Sequence, residues 1–445
     1  MTAVLLRDRL ALGRSAARPR LTGRIASVTG LVVDVEGLDA AVGELVLLAS
    51  STGLDGVPAE VVGIDRRRAR CMPLGPVTGL RAGDRVVGSG GGLTLRVGAE
   101  LLGRVLDGLG APLDAGPDLT GTVVDVDATP PPALLRQRVC EPLSFGVRAL
   151  DTLVTTGRGQ RLGIFAGSGV GKSTLLSMIV RGTTATVSVL ALVGERGREV
   201  REFIEGDLGD VGLARSVVVV ATSDAPPVVR LRAAFVATRI AEWFRDQGQD
   251  VLLMMDSLTR VAMAQREIGL SCGEPPATRG YPPSTFALLP RLLERAGPAQ
   301  IGTITGVYTV LVEGDDHNEP VADAARSILD GHVTLDRRLA TSGHFPAIDV
   351  LGSVSRVVAA VTTPEQRAQA TTLRRALAAH REARDLIEVG AYAAGSNPDV
   401  DAAVAMWPAI TAFLRQDAHE LVGAEAAWAH LQALADALVQ AGGSR

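Results

Sequence analysis

Leu162-Gly163-Ile164-Phe165-Ala166-Gly167-Ser168-Gly169-Val170-Gly171-Lys172-Ser173-Thr174 is the stretch on which the fold turns. Leu162–Phe165 reads as a buried strand, and Leu175–Arg181 beyond the glycines reads as a helix. Strand, glycine-rich loop and helix is the order needed to wrap phosphate. Glycines let successive backbone N–H groups turn inward, and the helix N-terminus adds its dipole. The spacing makes Gly167, Ser168, Gly169, Val170, Gly171, Lys172, Ser173 and Thr174 the candidate phosphate cradle. Lys172 is then the cation for the β and γ phosphates of a bound nucleotide, and the Ser173 hydroxyl a ligand for Mg2+. One departure from G-x-x-x-x-G-K-[ST] is Ala166 at the first position, a single added methyl.

The charge inventory points to the same place. Lys and Arg together number 45, and Lys172 is the single lysine among them. A chain that uses arginine for every other cation keeps one compact ammonium, which a planar guanidinium does not imitate.

Outward from the loop, apolar runs alternate with helical stretches from Val97 to about Val361. Val187–Val193, Ser216–Ala221, Val251–Met255 and Thr303–Val312 are apolar on both faces, the pattern of buried parallel strands. Asp256 ends one such run, where a hydrolysing site needs a carboxylate for Mg2+ on a neighbouring strand. A further carboxylate must polarise water. Gly194-Glu195-Arg196-Gly197-Arg198-Glu199 follows the run Ser188–Val193, and spacing alone leaves Glu195 and Glu199 equal, either of them free to pair with an arginine instead.

Before this core, Ala26–Val28, Leu31–Val35, Glu44–Leu48, Glu60–Ile64 and Arg85–Val87 are short β runs punctuated by Gly, Asp and Pro, which predicts a small antiparallel barrel. No helical pattern follows Gly88-Ser89-Gly90-Gly91-Gly92, so that run reads as a turn or linker. Ala128–Pro132 reads as an extended connector. After the core, Gln366–Val389 carries no Gly or Pro, and two or three more helices fit between Pro398 and Ala441. The boundaries drawn are a partner-docking or frayed amphipathic helix over 1–18, a barrel over 19–93, a phosphate-loop ATPase domain over 94–363 and a helical domain over 364–445.

Composition narrows the function classes. The chain has 445 residues, 47% hydrophobic and 21% charged, with a net charge of −4 and 3% aromatics. That is a globular composition without a global basic field for nucleic acid or anionic lipid. Arg66-Arg67-Arg68 with Arg70 lacks interleaved aromatics and reads as a solvated face, not an RNA surface. No apolar run is long enough to span a membrane, and Met1 to Arg20 lacks the uninterrupted apolar core expected of a secretory signal. Cys71, Cys140 and Cys272 have neither zinc spacing nor a disulfide framework; all three read as buried small hydrophobes in a reducing cytosol. Glu313–Glu319 is acidic but matches no calcium loop, and His332 and His344 read as structural.

Phe165–Thr174, Gly194–Glu199, Asp256–Arg260, Gly280–Leu289 and Pro346–Ser355 occur together and in order. In this the chain resembles the rotary ATPase α/β family over roughly residues 20–415. It is most similar to the ATPases of type III protein export, the flagellar and injectisome enzymes. MDSLTRVAMAQREIGL, EGDDHNEPVADAARSILDGH and RDLIEVGAYAAGS carry the export-type wording, and GSGVGKS is closer to flagellar members. The resemblance implies a P-loop, RecA-like α/β nucleotide-binding core between a small N-terminal β-barrel and a C-terminal helical domain. It implies a homohexamer that hydrolyses Mg-ATP at subunit interfaces. Glu195 becomes the water-positioning glutamate, where non-catalytic sister subunits carry Gln, and Arg196 its neighbour at the phosphates. Arg356 becomes the arginine finger given to the next subunit, Phe345 the ring that stacks on adenine, and Tyr392 a second wall of that pocket. The partners implied are a stator-like export regulator at the N-terminus, chaperones and cargo at the C-terminal domain, and indirectly a membrane export gate. The place implied is the cytoplasm, at the inner face of the cell membrane. A rotary synthase subunit and a weakly hydrolysing structural ring component are the rival functions.

Overall fold

The computed structural model describes residues 21–49, 56–312 and 319–443. The proposed docking helix over 1–18 and most of the acidic loop, residues 313–318, lie outside them.

Six short strands close an antiparallel barrel in the order Thr22–Thr29, Val32–Glu36, Arg68–Pro73, Val57–Asp65, Leu45–Leu48 and Arg85–Gly88. Alternate residues point inward, so Ile25, Val33, Val35, Val46, Leu48, Val61, Cys71 and Val86 fill one apolar core. The basic run is exposed over Arg66–Arg68, as a solvated face, and departs from that reading at Arg70. Arg66 takes a left-handed turn (φ 55°) at a hairpin tip, and Arg68–Pro73 is a strand of the barrel. Arg70 is not a free surface cation: it lies between Asp34 and Asp65 and donates to the Cys272 carbonyl. The barrel is tied to the core by Arg232, whose guanidinium donates to both Glu60 oxygens at 2.7 and 2.6 Å and to Asp127 at 3.1 Å.

The core is one nine-stranded sheet, running Ile348–Ser355, Gly331–Leu335, Arg161–Ala166, Thr303–Leu311, Asp250–Asp256, Val187–Val193, Ser216–Ala221 and Val105–Asp107, with Gly297–Pro298 paired beside Thr303–Leu311. Ile348–Ser355 and Gly297–Pro298 run antiparallel to their neighbours; the others are parallel. The strands read as continuously apolar because both faces are covered. Val189, Ala191 and Val193 enter one core cluster, while Leu190 and Leu192 enter the cluster on the opposite face.

Three helices, Pro364–Glu388, Pro398–Leu414 and Ala424–Gly443, complete the chain. A capping box of Thr363 and Gln366 starts the first, and the Asn397 side chain caps the second. Leu373, Leu377, Phe413 and Leu431 carry them onto the core. Buried Gln416 docks them: its amide donates to Gly146 O at 2.7 Å and accepts from Arg148 N at 2.9 Å. The cysteines divide: Cys71 is buried, Cys272 half-buried and Cys140 exposed, which corrects the all-buried expectation. Cys140 sits in a chain segment without regular structure, where nothing packs over a small side chain. Among the described residues no helix is long and apolar enough to cross a membrane.

Candidate functional site

Parallel strands put their carboxyl ends on one edge, and the register sets what meets there. Ala166 lies beside Leu311, Tyr308 beside Met255, and Asp256 beside Leu192. The phosphate loop, Asp256 and Glu195 therefore leave the sheet along one edge. The order corrects one expectation: the Asp256 strand is not hydrogen-bonded to the loop strand, because Thr303–Leu311 lies between them.

The loop is built for close approach. Gly169 and Gly171 have φ of 74° and 86°, a region that L side chains rarely adopt. Ser168, Gly169, Ser173 and Thr174 are exposed at the mouth, while Gly167 and Val170 are buried beneath them. Helix Lys172–Gly182 starts at Gly171 with no side-chain cap, so its first N–H groups are available to an anion. Lys172 contacts the Asp256 carboxylate and lies 3.6 Å from Glu195 Oε1. Two carboxylates hold the ammonium where phosphate oxygens can replace them.

Thr309, on the intervening strand, is fully buried and donates its hydroxyl to Asp256 Oδ1 at 2.6 Å. Sequence reasoning missed it, since nothing distinguishes Thr309 from Thr303 or Thr305 until the strand order is known. Glu195 follows Gly194, whose φ is 73° and where a Cβ would stand 2.9 Å from Arg260 Cβ. Burial first, and Asp256 second, hold the Glu195 carboxyl above its ordinary pKa of 4.5, against the pull of Lys172. The structure thus separates the two glutamates: Glu195 faces Lys172, while Glu199 pairs with Arg196 at 3.3 Å and Arg198 at 3.4 Å. Arg196 is exposed and is brought to Glu199, not to the loop. A cavity of about 270 Å³ opens beside Ser173, lined by Thr174, Glu195, Glu199, Phe203 and Asp256 among others. The Ser173 hydroxyl and the Asp256 carboxylate are hard oxygen donors on one cavity, the donor type that Mg2+ takes.

Phe345 stands against the loop: a Cβ on Gly171 would lie 3.2 Å from its ring. It is 43% exposed, so part of the side chain beside the loop is open to solvent. Arg337 donates to Ser168 O at 3.1 Å, a neighbour that sequence reasoning also missed. The Tyr392 hydroxyl is committed to its own loop, to Asn397 O at 3.1 Å and Asp401 at 3.0 Å, so its place in an adenine pocket rests on resemblance alone.

Arg356 lies elsewhere. Ser355 pairs with Gly331, and Arg356 N donates to Asp330 O at 2.9 Å, beside Arg161 at the start of the loop strand. At ~3.3 Å per residue, that strand separates Arg356 from its own phosphate loop by roughly 15–20 Å. Its side chain is exposed, and its guanidinium donates to Arg326 O at 3.3 Å.

Comparison with known proteins agrees with this architecture. Residues 25–90 match the β-barrel domain of the ATP synthase alpha/beta family, residues 146–355 its nucleotide-binding domain, and residues 362–433 the T3SS EscN ATPase C-terminal domain. The chain is 50% identical over 401 residues to the flagellum-specific ATP synthase of Bacillus subtilis, covering 89% of this chain and 91% of that one. It is 50% identical over 403 residues to the type 3 secretion system ATPase of Xanthomonas euvesicatoria, covering 90% and 91%. The assembled ATPase EscN of the enteropathogenic E. coli type III secretion system superposes with a TM-score of 0.89 at 44% identity, over 93% of this chain and 100% of that one. The chain belongs to the ATP synthase alpha/beta family, among the flagellar and type III secretion ATPases.

Proposed function

We propose that this chain hydrolyses Mg-ATP at sites shared between neighbouring copies in a homohexameric ring, and that the turnover serves flagellar protein export. The observation that carries the shared site is the distance between half-sites: Arg356 and the phosphate loop stand at opposite ends of the strand Arg161–Ala166. One copy cannot bring its own arginine to its own nucleotide, but a ring of copies packed head to tail can.

In this account the backbone of Gly167–Gly171 cradles the phosphates, and Phe345 stacks on the base. Lys172 leaves Asp256 and Glu195 for the β and γ phosphates. Mg2+, held by Ser173 and Asp256, would neutralise phosphate oxygens and fix their orientation. Glu195, freed from Lys172, accepts a hydrogen bond from the attacking water and orients it in line. Its raised pKa makes it a better acceptor than an ordinary carboxylate. Arg356 of the adjacent copy meets the charge that develops on the transferring phosphoryl group. Arg196, tethered to Glu199, stands at the margin of this site.

The helical domain is the surface for cargo and chaperone, and the N-terminal segment the surface for a stator-like regulator. A related EscN structure contains its central stalk EscO, which supports a stalk partner for this ring as well. These roles put the chain in the cytoplasm at the inner membrane face. An injectisome role is the second reading, favoured by the Xanthomonas relative at the same 50% identity as the flagellar one. The test is ATP hydrolysis against protein concentration, for wild type and Arg356→Ala. Specific activity that rises with concentration, and stays near background in the variant, supports the shared site. Activity independent of concentration and untouched by the substitution overturns it.

A further inference from the structure

Gln160 is fully buried, yet its side chain is polar at both ends. Its carbonyl accepts from Gly157 N at 2.9 Å, which closes the turn before the loop strand. Its amide nitrogen donates to Asp330 O at 3.0 Å and to Ser355 Oγ at 3.2 Å. Those two acceptors form the base of Arg356. The same Asp330 carbonyl accepts from Arg356 N at 2.9 Å, and Ser355 is the residue before it. Ser355 in turn donates to Thr155 O at 2.8 Å. Arg161, next in sequence, grips the Asp330 carboxylate at 3.0 and 3.1 Å. The amide therefore clamps the root of Arg356 to the root of the strand whose far end is the phosphate loop.

We propose that Gln160 is a positioning residue for the adjacent copy's reaction: its amide sets the base from which Arg356 reaches across the interface. The inference rests on the trans role of Arg356 and adds to it. A buried amide with its hydrogen bonds satisfied is rigid, because each lost bond leaves a buried polar group unpaired. The guanidinium beyond it is exposed and lightly held. Rigidity at the base is thus what aims a mobile tip, and a displacement of about 1 Å at a catalytic group can cost on the order of a hundredfold in rate.

The test uses rings assembled from two full-length chains. Chains with Glu195→Gln supply an intact Arg356 but no working glutamate, and chains with Arg356→Ala supply the reverse. Hydrolysis then arises only where an Arg356→Ala loop meets a Glu195→Gln finger. Gln160→Met, which keeps the volume and removes the amide, is added to one chain or the other. The expected result is a fall in kcat of about ten- to a hundredfold when the finger-giving chain carries it, a far smaller change when the loop-giving chain does, and a KM within about twofold in both. Equal losses in both placements mean that Gln160 only supports the fold, and overturn the proposal. No activity in the mixture before Gln160 is changed refutes the shared site itself. Should Gln160→Met fail to fold, Ser355→Ala in the finger-giving chain repeats the test, with Ser355→Thr restoring the hydroxyl and the rate. Loss in Ser355→Ala without rescue by Ser355→Thr likewise counts against the proposal.

Discussion

Thr309→Val should separate the Mg2+-dependent part of nucleotide binding from the rest. The Thr309 hydroxyl donates to Asp256 Oδ1 at 2.6 Å from a position with no solvent exposure. Valine keeps the shape and the strand preference, so the change removes one hydrogen bond to a charged acceptor. Such a bond contributes about 1.5–3 kcal/mol. In the free chain Lys172 also neutralises Asp256, so the loss there is softened. Once Lys172 has moved to the phosphates, Thr309 is the neighbour that still holds the carboxylate toward the cation. The difference between the two states, taken as about 1.5 kcal/mol from the low end of that range, is about tenfold in affinity. The assay is titration of a fluorescent ATP analogue at fixed protein, with Mg2+ varied and with chelator present. The Mg2+ concentration for half-maximal binding should rise about tenfold, with binding in chelator changed less than about twofold. An unchanged Mg2+ dependence in a variant that unfolds at the wild-type temperature would refute the role given to Thr309 and weaken that given to Asp256.

Glu195→Gln should leave ATP binding intact and lower kcat by about a hundred- to ten-thousandfold, read by equilibrium binding beside steady-state hydrolysis. In wild type the working form of Glu195 is the carboxylate, and its pKa is raised above 4.5 by burial and by Asp256. The rate should therefore fall as pH drops through that raised value, at higher pH than an ordinary glutamate would give; a pH–kcat profile that stays flat to pH 4.5 contradicts this. Lys172→Arg keeps the charge but not the compact ammonium, and should lose ATP affinity by at least about tenfold, since a planar fork cannot take the position between Asp256 and Glu195. With Lys172 as the single lysine, protection of this residue from an amine-reactive reagent by ATP, followed by peptide mass analysis, checks the same contact.

Much of this is legible in the sequence. The loop and its flanking strand and helix announce themselves because each position has a steric or electrostatic reason for its residue type. Asp256 is visible as a charge that ends an apolar run. The strand order is not visible, because Thr303–Leu311 reads like any other buried strand and nothing local says that it enters between Arg161–Ala166 and Asp250–Asp256. Thr309 and the Gln160 clamp depend on that order and on contacts between distant segments, so no local pattern could reveal them. Arg68–Pro73 was hidden by its arginines: Arg70 is held by Asp65 of the preceding strand and by Asp34 of a strand distant in sequence, and a charge run looks solvated until such partners are found. Glu195 and Glu199 were tied by spacing, and their distances to Lys172 and to Arg196 and Arg198 separate them.

The central claim is that each site takes its arginine from another copy, and mixing two inactive chains tests it most directly. Glu195→Gln and Arg356→Ala chains, each with negligible hydrolysis alone, should regain activity when assembled together. At equal ratio roughly one interface in four joins an intact loop to an intact finger in a head-to-tail ring. Recovery that is greatest near the equal ratio is the predicted result. No recovery at any ratio, from chains that assemble and bind ATP, would contradict the shared site.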